Sequence, residues 1–547
     1  MLQPGKRPNF VFIMTDDQDL QMNSLDYQPA IRKHFSSQGV TYNNHFVTMS
    51  ICCPSRVSLW TGMAGHNTNV TDVSPPFGGY SKFIERGFND NYLPVWLQEA
   101  GYNTYYTGKL MNSHSVSTYN NPYPNAWNGS DFLIDPGTYV YNNATMQRNR
   151  EPPKNYPGQY STDLITNKSI EFLEEAAKSH APFFLGVMPI APHSETTFEN
   201  GKAVFNPPVP AERYKDLYHG VKVPRTSNFN PEMASGASYV KGLPKLNDTV
   251  LAYNDEFYRL RLAALASVDD LIEAVVNKLE AMNVLENTFI FYTADNGFHI
   301  GQHRLSPGKC SAYEEDISVP MFIRGPGLPK GLTIELPTTH TDIAPTILKL
   351  AKVPLRKQFD GTPMPTSAAD NDDAKIEHVN VEFWGPSLGE GLYSGNAKLP
   401  NNTYKSLRIV SPEYDISYTV WCTNEHELYD MKTDLHQMHN LWGSNSSVGI
   451  FKIDALQPRL DALTMVLKSC KGEVCVKPWK TLHPQGNVNT LGDAMNEKYD
   501  HFYSVQPKVS FDMCAPGYLL EVEGPQKANV FSKEYSYREN THWSDWA

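Results

Sequence analysis

Short apolar runs that stop abruptly at polar residues are the feature that most constrains the fold of this chain. Each run has the length of a strand, and none reaches the 18 residues of a membrane span. Continuous apolar runs of this length are typical of strands buried on both faces. We therefore predict a buried sheet whose strands include residues 9–14, 104–107, 183–188 and 288–293.

The side chains that follow these runs are charged or polar, as the side chains of functional sites commonly are. In open α/β sheets, functional groups gather beyond the carboxyl ends of parallel strands. We therefore predict that the four strand ends meet at one crevice, which is the functional site. The side chains concerned are Asp16 and Asp17 after the first run, Lys109 after the second, His193 after the third, and Asp295 with Asn296 after the fourth.

Helical patterns separate the predicted strands. In residues 257–282, apolar residues recur at spacings of three and four, which predicts a helix that crosses back over the sheet. A second helix is predicted over 343–351, with Asp342 as its cap and Pro345 in its first turn. Alternating strands and helices indicate an α/β fold with a large mixed, mostly parallel sheet flanked by helices.

The sequence changes character after about residue 356. A polar loop precedes one more predicted strand at 378–384, and residues 386–402 are rich in Gly, Pro, Ser and Asn. We place a domain boundary there, with a catalytic domain at 1–390 and a smaller C-terminal domain at 391–547. Residues 404–429 predict an antiparallel sheet, and residues 434–467 predict a helical region.

Charge and composition exclude several classes of protein. With 47 Lys+Arg against 59 Asp+Glu, the formal net charge of −12 argues against a partner nucleic acid. No membrane span is predicted.

The first residues lack the pattern of a secretory signal, whereas seven cysteines allow two or three disulfides in an oxidising compartment. Together with seven Asn-x-Ser/Thr sequons, this leads us to expect a secreted or lumenal glycoprotein whose signal peptide has been removed.

The segment Cys52-Cys53-Pro54-Ser55-Arg56, followed five residues later by Thr-Gly, carries the most specific motif. It resembles the signature of type I sulfatases. MTDDQ, YTGK, YTADNGFHIGQHRLSPGK, VPMFIRGPG, HTDIAPTIL and ELYDMKTD resemble further sulfatase blocks, in the family's order, over roughly residues 8–440. The double cysteine and DNGFHIGQH are most similar to N-acetylglucosamine-6-sulfatases and microbial arylsulfatases.

The resemblance implies an alkaline phosphatase-like fold and a cysteine-derived nucleophile. In this family a formylglycine-generating enzyme oxidises the first cysteine of the motif, here Cys52, to formylglycine. Its hydrate attacks the sulfur of a small-molecule sulfate ester with one hydroxyl, and loss of a proton from the other expels the sulfate. The motif also predicts that Cys52 begins a helix, where backbone N–H groups favour an anion, and that Arg56 holds the diol.

Four oxygen donors predict a metal site. Asp16, Asp17, Asp295 and Asn296 offer the hard ligands of Ca²⁺ or Mg²⁺ rather than of Zn²⁺, and the resemblance assigns the same four. Asp-Asp and Asp-Asn-Gly are also common as caps and turns. Two such groups, each directly after an apolar strand, favour the metal. We expect Ca²⁺, with Mg²⁺ as the alternative, because three carboxylates and an amide make a mostly protein cage.

The resemblance also identifies the groups that bind the sulfate. Lys109 and Lys309 match the family's sulfate-binding lysines, and His193 matches the histidine after the proline-rich strand. Cations over the sulfate oxygens would stabilise the transition state. His193 and Lys309 are the candidates for the acid that assists the leaving group.

The chain departs from the family at two positions, one of which is Met63, where a basic residue often follows Thr-Gly. Met111 stands where many sulfatases carry the histidine that deprotonates the diol. Asn112 matches the glucosamine-sulfatase pattern instead, and His114 is the nearest alternative base. His299 and His303 are predicted to contact the substrate or its leaving group, although a structural role is as common for such histidines.

Disulfide pairings cannot be deduced from spacing. We nevertheless consider two pairings, in which Cys310 bonds Cys422 and Cys470 bonds Cys475.

Three functions remain open at this point. The first is a sulfuric ester hydrolase that acts on aryl sulfates, with 6-sulfated N-acetylglucosamine as the alternative substrate. The second is a phosphonate or phosphate ester hydrolase of the same superfamily. The third is a sulfate-sugar binding protein that is not an enzyme, in which Cys52 is never converted.

Overall fold

The computed structural model describes residues 7–199, 202–368, 376–394 and 398–532. A ten-stranded mixed sheet forms its centre, with five neighbouring parallel strands in the middle. In spatial order the strands are Leu332–Ile334, Val40–Tyr42, Met321–Arg324, Thr288–Ala294, Asn9–Thr15, Phe183–Met188, Asn103–Lys109, Gly129–Leu133, Asn143–Arg148 and Lys154–Pro157.

All four strands predicted from apolar runs are confirmed. They are direct neighbours in the order Thr288–Ala294, Asn9–Thr15, Phe183–Met188 and Asn103–Lys109, and they all run parallel. Their carboxyl ends therefore lie at the same edge of the sheet, as expected for the functional crevice.

Burial on both faces explains the continuous apolar runs. Along Asn9–Thr15, Phe10 and Phe12 enter one core cluster, while Val11 and Ile13 enter the cluster on the opposite face. Phe12 lies 5.6 Å from the ring of Trp60, which belongs to the helix Cys52–Thr61. The sheet thus fixes that helix against its first strand.

Helices cover both faces of the sheet. The helix predicted over 257–282 lies within Asp248–Ala281, where the Asn247 side chain caps the start by accepting the Val250 N–H at 3.0 Å. The second predicted helix is confirmed as Ile343–Leu350, but the Asp342 side chain accepts from the Thr339 and Thr362 N–H groups instead of capping it. Helices of seven residues or more are Cys52–Thr61, Gly79–Glu85, Leu93–Glu99, Ser161–Ala176, Asp248–Ala281, Ile343–Leu350 and Ile453–Leu467. Shorter α-helices are Pro29–Ile31, Gly65–Thr68, Ser238–Lys241, Glu314–Ile317, Glu473–Val476, Trp479–Leu482, Leu491–Ala494 and Asp500–Ser504.

An antiparallel sheet of four strands follows the large sheet along the chain, as predicted. Its strands are His378–Phe383, Tyr404–Val410, Asp415–Trp421 and His426–Asp430. The first of them precedes residue 390 but pairs with a strand that follows it. The division into 1–390 and 391–547 stays a prediction.

The helical prediction for 434–467 is wrong in its first half. Only Ile453–Leu467 is helical, and it follows a short hairpin of Ser447–Val448 and Phe451–Lys452. Asp434 accepts hydrogen bonds from the backbone N–H groups of Met438 and His439. Side chains that bond to nearby backbone compete with helix formation, and this stretch is rich in Asp, Asn and Ser.

Among the described residues, no helix is long and apolar enough to span a membrane. The strands outside the two larger sheets form small sheets of two or three strands. The small sheets pair Glu195–Glu199 with Lys202–Asn206, His45–Phe46 with Thr338–Thr339, and Ser387–Gly389 with both Gly308–Lys309 and Lys398–Leu399.

Two disulfides join the C-terminal part of the chain. Cys470 bonds Cys475, as expected, but Cys422 bonds Cys514. The expected pairing of Cys310 with Cys422 is wrong, because Cys310 is a free, buried thiol in the apolar cluster between the two large sheets.

Candidate active site

Cys52 is the first residue of the helix Cys52–Thr61, as the motif predicts. Ile51 before it is extended, with φ −151° and ψ 144°, and the helix ends at Gly62, whose φ of 67° suits glycine. The first backbone N–H groups of the helix have no partner within it, so its start favours an anion. Cys52 is buried, with 1% of its surface exposed.

Two strand ends bring carboxylates to Cys52. Its Sγ lies 3.5 Å from Asp16 Oδ1 and 3.8 Å from Asp17 Oδ1. Asp295, from the neighbouring strand end, accepts the Asp17 N–H at 3.0 Å. Asp17 has a φ of 65°, a left-handed conformation that is rare for residues other than glycine. The parallel register of the strands therefore gathers the predicted carboxylates.

Buried cations neutralise these carboxylates. Lys109 Nζ donates to Asp16 at 2.6 Å, and Lys309 Nζ donates to Asp17 at 2.6 Å and lies 3.4 Å from Cys52 Sγ. Burial alone would raise the pKa of Asp16, but Lys109 and other nearby cations lower it to about 2. The acids are thus held ionised in a buried site.

Arg56 and His193 complete the cluster. Arg56 Nε donates to Asp295 at 2.8 Å, and its Nη1 donates to the Lys109 carbonyl at 2.6 Å. Arg56 thus braces the acid and the lysine, and these side-chain hydrogen bonds go to neighbours of Cys52 rather than to Cys52 itself. His193 Nδ1 donates to the Ser194 carbonyl at 2.7 Å, which turns Nε2 toward Asp17 at 3.6 Å.

The two adjacent cysteines have different environments. Cys52 Sγ, His193 and the carboxylates of Asp16 and Asp17 lie within 4.8 Å of one another, whereas Cys53 packs into the apolar core. Burial raises the pKa of the Cys52 thiol well above its ordinary value. An unmodified thiol at this position is therefore largely protonated at neutral pH and is a weak nucleophile.

The donor set fits a hard divalent cation. Asp16, Asp17 and Asp295 are three buried carboxylates, and Asn296 adds an amide. Asn296 Nδ2 donates to Asp17 at 2.7 Å, while its Oδ1 is buried without a hydrogen-bond partner. An orphaned buried oxygen beside three carboxylates is the kind of group that a calcium or magnesium ion satisfies.

Two of the predicted substrate-binding residues are linked to this cluster, Asn112 through Tyr139 and His299 through a backbone bridge to Gly308, next to Lys309. Asn112 Nδ2 donates to the hydroxyl of Tyr139 at 2.8 Å, and the Tyr139 ring stacks on His193 at 4.2 Å. His299 binds Asp316 through Nδ1 at 2.8 Å and lines a cavity of about 370 Å³.

The other two predicted substrate-binding residues lie in structural environments. The His114 ring packs 4.4 Å from Tyr80, and burial lowers its pKa to about 3. His303 pairs with Ser235 at 2.8 Å and stacks on Tyr313 at 4.2 Å, and its pKa is also lowered by burial to about 3. Their described contacts join neither ring to the Cys52 cluster.

Sequence reasoning missed three residues of this site. Tyr139 lies between Lys109 and His193, since Lys109 Nζ is 4.9 Å from its ring centre and the His193 ring stacks on it. Arg261 on the long helix donates to the carbonyl groups of Asp17 and Pro192 and so joins two strand ends. Glu390 lies 3.4 Å from Lys309 Nζ. None of the three follows an apolar run or belongs to a recognisable motif.

Known proteins share this sequence and fold. An arylsulfatase of Volvox carteri is 40% identical over 546 residues, covering 93% of this chain and 82% of that protein. The N-acetylglucosamine-6-sulfatase of Homo sapiens is 30% identical, with 86% of each chain covered. A solved structure of a protein bound to its substrate D-glucosamine-2-N,6-O-disulfate is similar with a TM-score of 0.65 at 22% identity, covering 80% of this chain and 94% of that one.

These similarities confirm the alkaline phosphatase-like α/β fold. The sulfatase family profile matches residues 8–353, which is most of the chain. Its span includes Cys52 and the carboxylates, lysines, Arg56 and His193 around it, and it ends before Glu390. The chain therefore belongs to the sulfatase family, whose members hydrolyse sulfate esters.

Proposed function

We propose that this protein hydrolyses aryl sulfate esters to a phenol and inorganic sulfate, with a formylglycine formed from Cys52 and a bound divalent cation. The observation that carries the proposal is the position of Cys52 at a helix start, 3.5 Å from Asp16 and 3.4 Å from Lys309 Nζ. A side chain there meets cations, carboxylates and free backbone N–H groups together.

Conversion of Cys52 to formylglycine supplies the strong nucleophile that the buried, protonated thiol is not. A hydrated aldehyde offers one hydroxyl that attacks sulfur and a second whose deprotonation releases the sulfate. Cys53 points into the core and is not a competing site. The maturation partner is a formylglycine-generating enzyme, which must act on the chain before Cys52 is buried.

The cation would be held by Asp16, Asp17, Asp295 and Asn296. We propose Ca²⁺, with Mg²⁺ as the alternative, because the orphaned Asn296 oxygen and three carboxylates form a mostly protein cage. A bound cation supplies charge neutralisation and lowers the pKa of a hydroxyl next to it. Arg56 and Lys109 hold two of these acids in place from the other side.

The sulfate would be bound by Lys109, Lys309 and His193. Burial would lower the pKa of Lys309, but Asp17 and other acids raise it well above its ordinary value, so the ammonium form persists. His193 presents Nε2 to the site because Nδ1 is committed to a backbone carbonyl. His193 and Lys309 are therefore the candidates for donating a proton to the leaving oxygen.

The cavity lined by His299 favours an aromatic leaving group. Leu388 also lines it, and Leu388 lies directly opposite Lys309 on an antiparallel ladder. Directly opposed side chains share one face of a sheet, so Lys309 lies on the same face as the Leu388 wall of the cavity. Much of the lining is apolar, namely Leu243, Pro244, Leu246, Val250, Leu305, Leu388, Tyr393 and Leu399.

A substrate panel tests the proposal. On protein shown to carry formylglycine, we expect nitrophenyl sulfate to be hydrolysed faster than N-acetylglucosamine 6-sulfate, and Cys52→Ala to abolish both activities. Lys309→Ala should depress turnover more steeply for sugar sulfates than for nitrophenyl sulfate, since a phenol leaves with less help from an acid. Hydrolysis of the amino-sugar sulfate alone would contradict the aryl proposal and favour the 6-sulfatase activity named in the human relative.

We also propose a secreted or lumenal location. Two disulfides are typical of an oxidising compartment. Six of the seven sequon asparagines are exposed, as glycan attachment requires: Asn128, Asn143, Asn167, Asn247, Asn401 and Asn445. Peptide mapping of the protein from its native source would test this by showing whether these sites carry glycans.

A further inference from the structure

Glu390 is a fully buried acid at the edge of an anion-binding site. It follows the strand Ser387–Gly389, which pairs with Gly308–Lys309, and none of its surface is exposed. Its Oε1 lies 3.4 Å from Lys309 Nζ, and its Oε2 accepts a hydrogen bond from Ser194 Oγ. Its backbone N–H donates to the Pro307 carbonyl at 2.6 Å, which fixes the loop.

The acid is close to the reacting position. Lys309 Nζ is 3.4 Å from Glu390 Oε1 and 3.4 Å from Cys52 Sγ, so the carboxylate lies within about 7 Å of the sulfur. Lys309 is thus shared between Asp17 and Glu390. The lysine that would bind the substrate anion therefore already has two carboxylate neighbours.

A carboxylate at this distance affects anions according to their charge. At about 7 Å and an effective dielectric constant near 20, each further negative charge on a ligand weakens its binding by roughly 50-fold. A sulfate monoester carries one negative charge, whereas a phosphate monoester carries two above about pH 7. The charge of Glu390 therefore penalises a dianion more than a monoanion.

We propose that Glu390 is a specificity-determining residue, which selects monoanionic sulfate esters over dianionic phosphate monoesters. The inference rests on the proposed function of the Cys52 site. Selectivity arises because the buried carboxylate reduces the net positive charge around the bound anion, and specificity is a difference between two affinities. Removing this one charge should therefore raise the rate of phosphate hydrolysis relative to that of sulfate hydrolysis.

Two variants separate the charge of Glu390 from its hydrogen bond. Glu390→Gln removes the charge and keeps the shape and an amide oxygen that can accept the hydrogen bond from Ser194 Oγ. Ser194→Ala removes the hydrogen bond and keeps the charge, since the Ser194 carbonyl that accepts from His193 belongs to the backbone. A role limited to loop packing would make both variants lower every activity in parallel.

The experiment compares kcat/KM for three nitrophenyl esters at about pH 8: the sulfate, the phosphate and the phenylphosphonate. The sulfate and the phosphonate monoester carry one negative charge, whereas the phosphate carries two. For Glu390→Gln we expect the phosphate-to-sulfate ratio to rise at least tenfold, while the phosphonate-to-sulfate ratio changes by less than threefold. For Ser194→Ala we expect both ratios to stay within threefold of the wild-type ratios.

Competitive inhibition gives a second readout that needs no turnover of the probe. Phenylphosphonate, a dianion, should gain affinity for Glu390→Gln relative to benzenesulfonate, a monoanion, by at least tenfold. Folding of each variant is verified by circular dichroism, and Glu390→Ser replaces the Gln variant if that one does not fold. Unchanged ratios in a folded variant, or equal gains for phosphate and phosphonate esters, would overturn the inference. A wild-type enzyme that cleaves no sulfate ester would instead overturn the proposed function.

Discussion

Replacing Glu382 with Gln should destabilise the protein by about 3 kcal/mol, because this acid neutralises two buried cations. Glu382 is fully buried in the first strand of the antiparallel sheet. Its Oε1 pairs with His66 Nδ1 at 2.8 Å, and its Oε2 accepts from Lys405 Nζ at 2.9 Å. His66 belongs to a short helix soon after the Cys52 helix, so the network joins the active-site side of the chain to the second sheet.

The magnitude follows from the pKa of Glu382. Burial alone would raise it, but His66 and Lys405 lower it from 4.5 to about 2. At about 1.4 kcal/mol for each tenfold change in the dissociation constant, this lowering of the pKa corresponds to about 3 kcal/mol of stabilisation by the charged form. The Gln variant keeps the side-chain volume but leaves the buried Lys405 ammonium without this partner, which is a costly state.

The pH dependence has two arms. Because the folded pKa of Glu382 is lowered, its contribution is fully present above 4.5 and is lost as the pH falls toward 2. Burial would lower the pKa of His66, but Glu382 raises it above 6.5, so the contribution of His66 is fully present below 6.5 and is lost as the pH rises through the raised value. The network should therefore stabilise most between about pH 4.5 and 6.5.

Urea unfolding at pH 6, followed by tryptophan fluorescence, measures the effect. Glu85→Gln is the matched control, since Glu85 makes an exposed pair with Lys82 and its loss should change little. We expect Glu382→Gln to lower the free energy of unfolding by about 3 kcal/mol at pH 6. The difference should be smaller at pH 3, where the wild type is also destabilised. Equal unfolding midpoints for Glu382→Gln and Glu85→Gln at pH 6 would refute the reasoning.

Two further predictions concern the cation and the disulfides. Chelation, or Asp17→Ala, should abolish turnover. Added Ca²⁺ should raise the melting temperature of the wild type but not of Asp17→Ala, because a ligand that binds the native state stabilises it. Full activity in excess chelator, with no metal retained, would contradict this. Replacing both cysteines of the Cys422–Cys514 disulfide with Ser should lower the free energy of unfolding by about 4 to 5 kcal/mol, because the bond joins residues 92 positions apart. The same change at Cys470–Cys475, which are 5 positions apart, should lower it by about 2 kcal/mol. Denaturant unfolding compares the two, and a larger loss for the short loop would contradict the chain-entropy account.

The sequence predicted the parts of the structure that are encoded locally. Apolar runs identified four neighbouring parallel strands, and the polar residues at their ends do converge on one cluster. This works because a strand buried on both faces must be apolar along its whole length. The Cys52 motif likewise identified the helix start, since its residues are adjacent in the chain.

The parts that the sequence did not predict depend on contacts between distant segments. Glu390 lies in a Gly-rich loop and meets Lys309 only through strand pairing, and Tyr139 meets His193 only after folding. The partner of Cys422 is 92 residues away. No spacing rule reports such contacts, because they are set by tertiary packing rather than by local pattern.

Peptide mass spectrometry at Cys52 tests the central claim most directly. In protein from its native source, we predict that the Cys52 residue has lost about 18 Da, as a thiol converted to an aldehyde does, whereas the ladder of ordinary cysteine oxidation adds mass. Cys53 in the same peptide should be unchanged, since it packs into the core. A carbonyl-reactive label should attach at position 52 and should block hydrolysis of nitrophenyl sulfate. A fully active protein in which Cys52 remains an unmodified thiol would contradict the account.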